Sequence, residues 1–172
     1  MKAAINASPL IFLAKLEKLT LLKLLLTEYY VTDIVLEEVV KKALQCGYIE
    51  AEPIQKFAVE HVVEADKGKA EKLAEKFNIH IGEASTILLA KRMNLNYVIV
   101  DDKVAIKVVK IMGLKPLSTP FILLKALKDR QLTHKEFIRC FEKLIQHGYY
   151  ISPSFSRKIL EKADKLKNEL KN

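Results

Sequence analysis

The chain has 172 residues, half of them hydrophobic and 29% charged, with only five glycines and five prolines. That composition excludes a disordered or fibrous chain and fits one folded domain with short loops, burying about two-thirds of its unfolded surface. The net charge of +8 predicts a surface that attracts polyanions, either nucleic acid or anionic lipid, unless the excess lysine serves solubility alone.

Lys2 to Asn6 reads as a short buried strand, with Ser8 as the cap and Pro9 as the first residue of a Leu-rich helix running to about Leu26 and breaking near Thr20. A strand from Tyr29 to Val31 follows, then a helix capped by Thr32 and Asp33 that reaches about Ala43, with Gly47 as the turn beyond it. Val59 to Val63 is the next expected strand. Lys67 to Phe77 is a charged connecting helix, and Gly82 opens a longer one, EASTILLAKRM. Asn96 to Val100 is a β-branched run with the character of a central parallel strand, ending in Asp101-Asp102 and followed at once by a helix to Met112. Gly113 stops that helix, Lys115 to Leu117 is the last expected strand, and Pro120 starts FILLKALKD. Two further helices fill Thr133 to the C-terminus, the second beginning near Ser154. Alternating strand and helix predicts a three-layer α/β/α sandwich on a parallel sheet of four to five strands, with residues 133–172 as a C-terminal helical extension of a single domain.

Asn6, Asp101 and Asp102 fall at the C-terminal ends of strands, where an open parallel sheet gathers its ligands. Glu83, in a helix first turn, and Glu37 or Glu38, one turn into another, lean over the same edge if their helices follow their strands directly. Oxygen donors grouped in this way suit Mg²⁺ or Mn²⁺. Each position also has a purely structural role to compete with: a helix cap for Asp101 or Asp102, a dipole contact for Glu83, a solvated charge for Glu37 or Glu38, a turn tie for Asn6. Lys103, Lys107 and Lys110 share a helical stripe directly after the acidic pair, placed either to guide an RNA backbone or to form an ordinary solvated face.

Of the 29 basic residues only Arg92, Arg130, Arg139 and Arg157 are arginine, so phosphate attraction is diffuse rather than bidentate. Cys46 and Cys140 match no metal spacing and read as buried thiols of a reducing compartment, with the cytoplasm as the expected location. The apolar run LIFLA ends at Lys15, too short for a signal core or a membrane span, and no membrane partner is expected.

Taken in order, INASPLIFLAKL, VTDIVLEEVV, GEASTILLA, NYVIVDDKVA and GLKPLSTPFILLKA resemble the successive motifs of the PIN-domain family of metal-dependent ribonucleases, which includes the VapC-type toxins. GYYIS, from Gly148 to Ser152, resembles a late motif of an uncharacterised branch of that family. The resemblance implies that Glu38, Glu83 and Asp102, with Asp101 and Asn6, hold one or two divalent ions, and that Thr119 belongs to a nucleic-acid-binding turn. It further implies an endoribonuclease on single-stranded RNA, a homodimer, and an antitoxin protein as partner. Three positions depart from the family pattern: Asn6 stands where an acid is usual, Ser118 and Phe121 where glycines flank the threonine turn, and Ile106 where this branch often has arginine. Asn6 removes one negative charge, so two other readings stand beside the nuclease. One is a catalytically weakened RNA-binding protein; the other is an interaction protein docking through the apolar helices Pro9 to Leu26 and Phe121 to Leu127.

Overall fold

A computed structural model describes residues 1–46 and 51–169. Gly47 and the side chain of Cys46 lie outside the described residues. Five strands, β1 (Lys2–Ile5), β2 (Glu28–Thr32), β3 (Val62–Val63), β4 (Tyr97–Ile99) and β5 (Lys115–Leu117), form one sheet in the order β3-β2-β1-β4-β5, with every pairing parallel. The connecting helices are α1 (Ala7–Lys15), α2 (Thr20–Leu25), α3 (Asp33–Cys46), α4 (Ala51–Ala58), α5 (Lys67–Phe77), α6 (Ile81–Arg92), α7 (Lys103–Ile111) and α8 (Thr119–Lys128). They are followed by α9 (His134–Gln146) and α10 (Pro153–Glu169).

Strand alternation sorts the core into two layers, because successive side chains leave a strand on opposite faces. Ala3, Ile5, Val31 and Ile99 join the cluster of α1 to α4 and α8 to α10, whereas Ala4, Val98 and Val100 join that of α5, α6 and α7. The predicted three-layer sandwich with five parallel strands is the observed architecture. Both faces of the sheet are covered, so β1 and β4 are apolar beyond the entry residue Lys2, as a buried parallel sheet favours.

Three local expectations are corrected. Ser8 is not the cap of α1: Asn6 holds that position in extended backbone and Pro9 is the third helical residue, where a missing N–H costs nothing. Val59 to Val63 is not a full strand. Residues Val59–His61 make a 3₁₀ turn whose His61 ring lies 4.0 Å from that of Tyr29, and only Val62 and Val63 pair with β2. Helix α4 was not foreseen, since Pro53 sits inside an amphipathic run too short to declare its period. The proposed docking surface on α1, α2 and α8 is also mostly internal. Leu10, Leu13, Leu21, Leu22, Leu25, Ile122, Leu123 and Leu127 are all buried, and of the large hydrophobic side chains on these helices only Leu24 and Phe121 are exposed.

Helices α9 and α10 pack on α8. Cys140 is a buried free thiol. Among the described residues no helix is long and apolar enough to cross a membrane.

Candidate functional site

The chain runs β1 to β2 to β3 outward on one side, then returns across the sheet to place β4 on the other side of β1. The C-terminal ends of β1 and β4 therefore part at a topological switch point, where a crevice opens between diverging loops. Ile5 is in register with Ile99, and the Asn6 N–H donates to the Ile99 carbonyl at 3.0 Å. Asn6 and the pair Asp101-Asp102 thus leave neighbouring strands side by side.

Helices α3 and α6 bring the glutamates to the same edge through a buried polar tie. The Thr32 and Ser85 hydroxyls meet at 2.9 Å, Val35 N–H donates to Thr32 Oγ1, and Ser85 and Thr86 both donate to the Gly82 carbonyl. The tie presses the start of α6 against α3. A Cβ on Gly82 would stand 2.6 Å from Glu38 Oε2 and 3.5 Å from Asn6 Oδ1. Glycine at this position is what lets the Glu38 carboxylate and the Asn6 amide both come close to the first turn of α6.

This geometry distinguishes the two glutamates that periodicity leaves open. Glu38 is half-buried against Gly82, whereas Glu37 is exposed and paired with Lys41 at 3.9 Å. Both border a cleft of about 1260 Å³ that also takes in Asn6, Glu83, Asp101, Asp102 and Lys103.

Asn6 does not tie its own turn. Its side chain makes no cap hydrogen bond, it is only 4% exposed, and its Oδ1 has no partner. A buried carbonyl left unpaired costs about 1–3 kcal/mol, so this oxygen is held at a cost beside Glu38.

Asp102 does cap its helix, with Oδ1 accepting from Val104 N–H at 2.7 Å and Ala105 N–H at 2.8 Å. Asp101 is committed elsewhere. It accepts from Thr119 N–H and Thr119 Oγ1, each at 2.7 Å, and from the Tyr149 hydroxyl at 3.0 Å. Burial pushes the Asp101 carboxyl up, and these three donors oppose the push. Thr119 is fully buried and lines neither of the clefts described here, so its two donors hold Asp101 rather than meet a ligand.

Tyr149 belongs to none of the acidic motifs. It arrives from the turn after α9, its ring packs edge-on against Phe12 at 5.1 Å, and its hydroxyl fixes Asp101. Its signal in the sequence was GYYIS, whose role depends on a contact 48 positions away. Of the lysine stripe, Lys103 lines the cleft, whereas Lys107 is exposed and borders neither cleft.

Glu83 is 7% exposed and its Oε2 accepts the His80 N–H at 3.0 Å. Burial pushes its carboxyl up; the His80 N–H opposes this, and the charges of Asp102 and Glu38 add to the push. A carboxyl raised in the folded state contributes stability below its unfolded value near 4.5, and that contribution is lost as pH rises through the folded value. Glu83→Gln, in chelator, is therefore expected to melt at a higher temperature than the natural protein at pH 7 and at about the same temperature near pH 4. Scanning fluorimetry reads both; a variant less stable at pH 7 would contradict the placement.

The two polar atoms nearest Gly82 are hard oxygens, one of them buried and unpaired, which is the chemistry a small divalent cation takes. The fold resembles the crystal structure of PAE2754 from Pyrobaculum aerophilum at a TM-score of 0.49 and 14% identity, covering 73% of this chain and 97% of that one. No curated protein matches the sequence. A family model described as PIN domain matches residues 2–165, nearly the whole chain, and the chain belongs to the PIN-domain family.

Proposed function

We propose that this protein is a Mg²⁺- or Mn²⁺-dependent endoribonuclease that hydrolyses phosphodiester bonds of single-stranded RNA. PIN domains commonly act as nucleases, generally use divalent metals and generally bind RNA. The observation that carries the reading is the approach of Glu38 and of the unpaired Asn6 oxygen to the bare Cα of Gly82.

Asn6, Glu38, Glu83 and Asp102 would hold the ion. Among the described residues no three His, Cys, Asp or Glu side chains converge closely enough to hold a metal, so Glu38, Glu83 and Asp102 would reach a shared ion in part through water, with the Asn6 carbonyl as a further oxygen donor. A divalent ion held there would place positive charge beside the phosphodiester and lower the pKa of a neighbouring water. Hydrolysis would then form a bond from the water oxygen to phosphorus as the P–O bond to the leaving oxygen breaks, and the proton the water loses would end on that leaving oxygen. Asp101, held by Thr119 and Tyr149, fixes the loop that carries Asp102. Lys103, at the cleft wall, attracts the strand's phosphates, with the net charge of +8 behind it.

The test is cleavage of labelled single-stranded RNA by the natural protein with Mg²⁺ or Mn²⁺, and with chelator. Cleavage that requires the ion supports the reading. Salt-sensitive RNA binding with no cleavage under either ion would replace it with the weakened RNA-binding protein. The resemblance to VapC-type toxins supports a homodimeric toxin restrained by an antitoxin, acting in the cytoplasm.

A further inference from the structure

Beside the acidic cleft lies a second one of about 570 Å³, bordered by Lys103, Lys110, Ser118, Phe121, Tyr150 and Phe155. Its size falls within the ~300–1,000 Å³ common for small-ligand sites. The two clefts adjoin, with Asp101, Lys103, Tyr149 and Tyr150 lining both.

The lining combines features that are seldom exposed together. Tyr150 is 78% exposed and Phe121 37% exposed, although large aromatics usually bury their rings. Each ring lies beside an ammonium: Lys103 Nζ sits 4.8 Å from the Tyr150 centroid and Lys162 Nζ 5.7 Å from that of Phe121. Ser118, 6% exposed, borders the same cleft with its Oγ lacking a hydrogen-bond partner of good geometry, though the Tyr149 hydroxyl is near enough to feel it.

We propose that this cleft is a nucleobase subsite. It takes an unpaired base of the RNA strand whose phosphate lies in the acidic cleft, stacking that base on Tyr150 while Lys103 and Lys110 contact the flanking phosphates. The proposal rests on the ribonuclease reading for the neighbouring phosphate. A polymer alternating π-faces with negative charges suits two exposed rings that each sit beside a lysine, and stacking accepts any base because every base has such a face. Lysine in place of arginine suits this division of labour, since it supplies charge without bidentate reading of base edges. Phe121 and Ser118, which depart from the family's glycines, are then the residues that build the subsite. Glycines at both positions would leave neither a ring nor a hydroxyl.

The experiment is anisotropy titration, in chelator, of two labelled single-stranded RNAs of about eight nucleotides, one intact and one with its central residues abasic. The natural protein is expected to bind the intact strand roughly five- to tenfold more tightly. Tyr150→Ala should remove that advantage and Tyr150→Trp should keep it, and the exposure of Tyr150 spares the fold in both. Equal affinity for the two strands, equal weakening of both by Tyr150→Ala, or no binding of either at low salt overturns the subsite and leaves the groove to a polypeptide partner. Cleavage with Mn²⁺ is read separately. Base-dependent binding without cleavage supports the subsite and removes the nuclease reading, whereas cleavage without base dependence does the reverse.

Discussion

Gly82→Ala is expected to give a folded protein whose divalent-dependent cleavage has fallen about a hundredfold or more. A methyl group at this position would stand 2.6 Å from Glu38 Oε2, closer than carbon and oxygen can pack, so something must move. The atom in the way is the far end of a flexible side chain, and the backbone around Gly82 is tied by Ser85 and Thr86. The Glu38 carboxylate is therefore what moves, by an ångström or more, and it leaves its place over Gly82. Displacements of that size cost about two orders of magnitude when they move a group that positions the reaction. The fold should not suffer, because alanine favours a helical position over glycine by up to about 1 kcal/mol. Melting followed by circular dichroism should show stability equal to or above that of the natural protein. Glu38→Gln should lose activity to a similar degree, and Glu37→Gln should stay within about twofold, as an exposed, weakly paired surface charge does. Full activity in Gly82→Ala, or equal losses in the two glutamine variants, would remove Glu38 from the site.

Where one element's own pattern decides the outcome, the sequence was sufficient; where a contact between distant elements decides it, it was not. The β-branched NYVIV followed by two aspartates announced β4, and the order of strands and helices announced a parallel sheet in three layers. Both depend on local apolar periodicity, which burial on two faces enforces. The choice between Glu37 and Glu38 was open because both project from the same turn of α3, and only the approach of Gly82 on α6 tells them apart. Asp101 reads as a ligand candidate close behind Asp102, and nothing nearby in the chain shows that Thr119 and Tyr149 occupy it. Ser8-Pro9 reads as a helix start by composition, but the helix begins two residues earlier because β1 ends at Ile5 and the chain turns at once. Asn6 was legible as a departure from the expected acid. Its unpaired, buried carbonyl was not.

Asn6→Asp is expected to raise affinity for Mn²⁺ at least about tenfold while lowering the stability of the metal-free protein at neutral pH. Two unit charges about 4 Å apart interact by roughly 4 kcal/mol at an effective dielectric constant near 20. Burying the new carboxylate takes back much of that, and a remainder of about 1.4 kcal/mol is already tenfold. Without the ion the same charge faces Glu38 in a position only 4% exposed, and both burial and the like charge raise its pKa. The variant's added stability is then present only while the aspartate is protonated, and is lost as pH rises through its folded pKa. In chelator, Asn6→Asp should melt below the natural protein at pH 7 and approach it near pH 4, the opposite sense to Glu83→Gln. Calorimetric titration with Mn²⁺ at pH 7 should show the tighter binding, with more protons released than the natural protein releases, because part of the new carboxyl is protonated before the ion arrives. Unchanged affinity would place the ion away from Asn6 and undo the ligand set. If affinity rises and cleavage rises with it, the natural amide is a partial lesion in a nuclease site. If affinity rises while cleavage falls, the amide is tuned, holding the ion loosely enough for the product phosphate to leave.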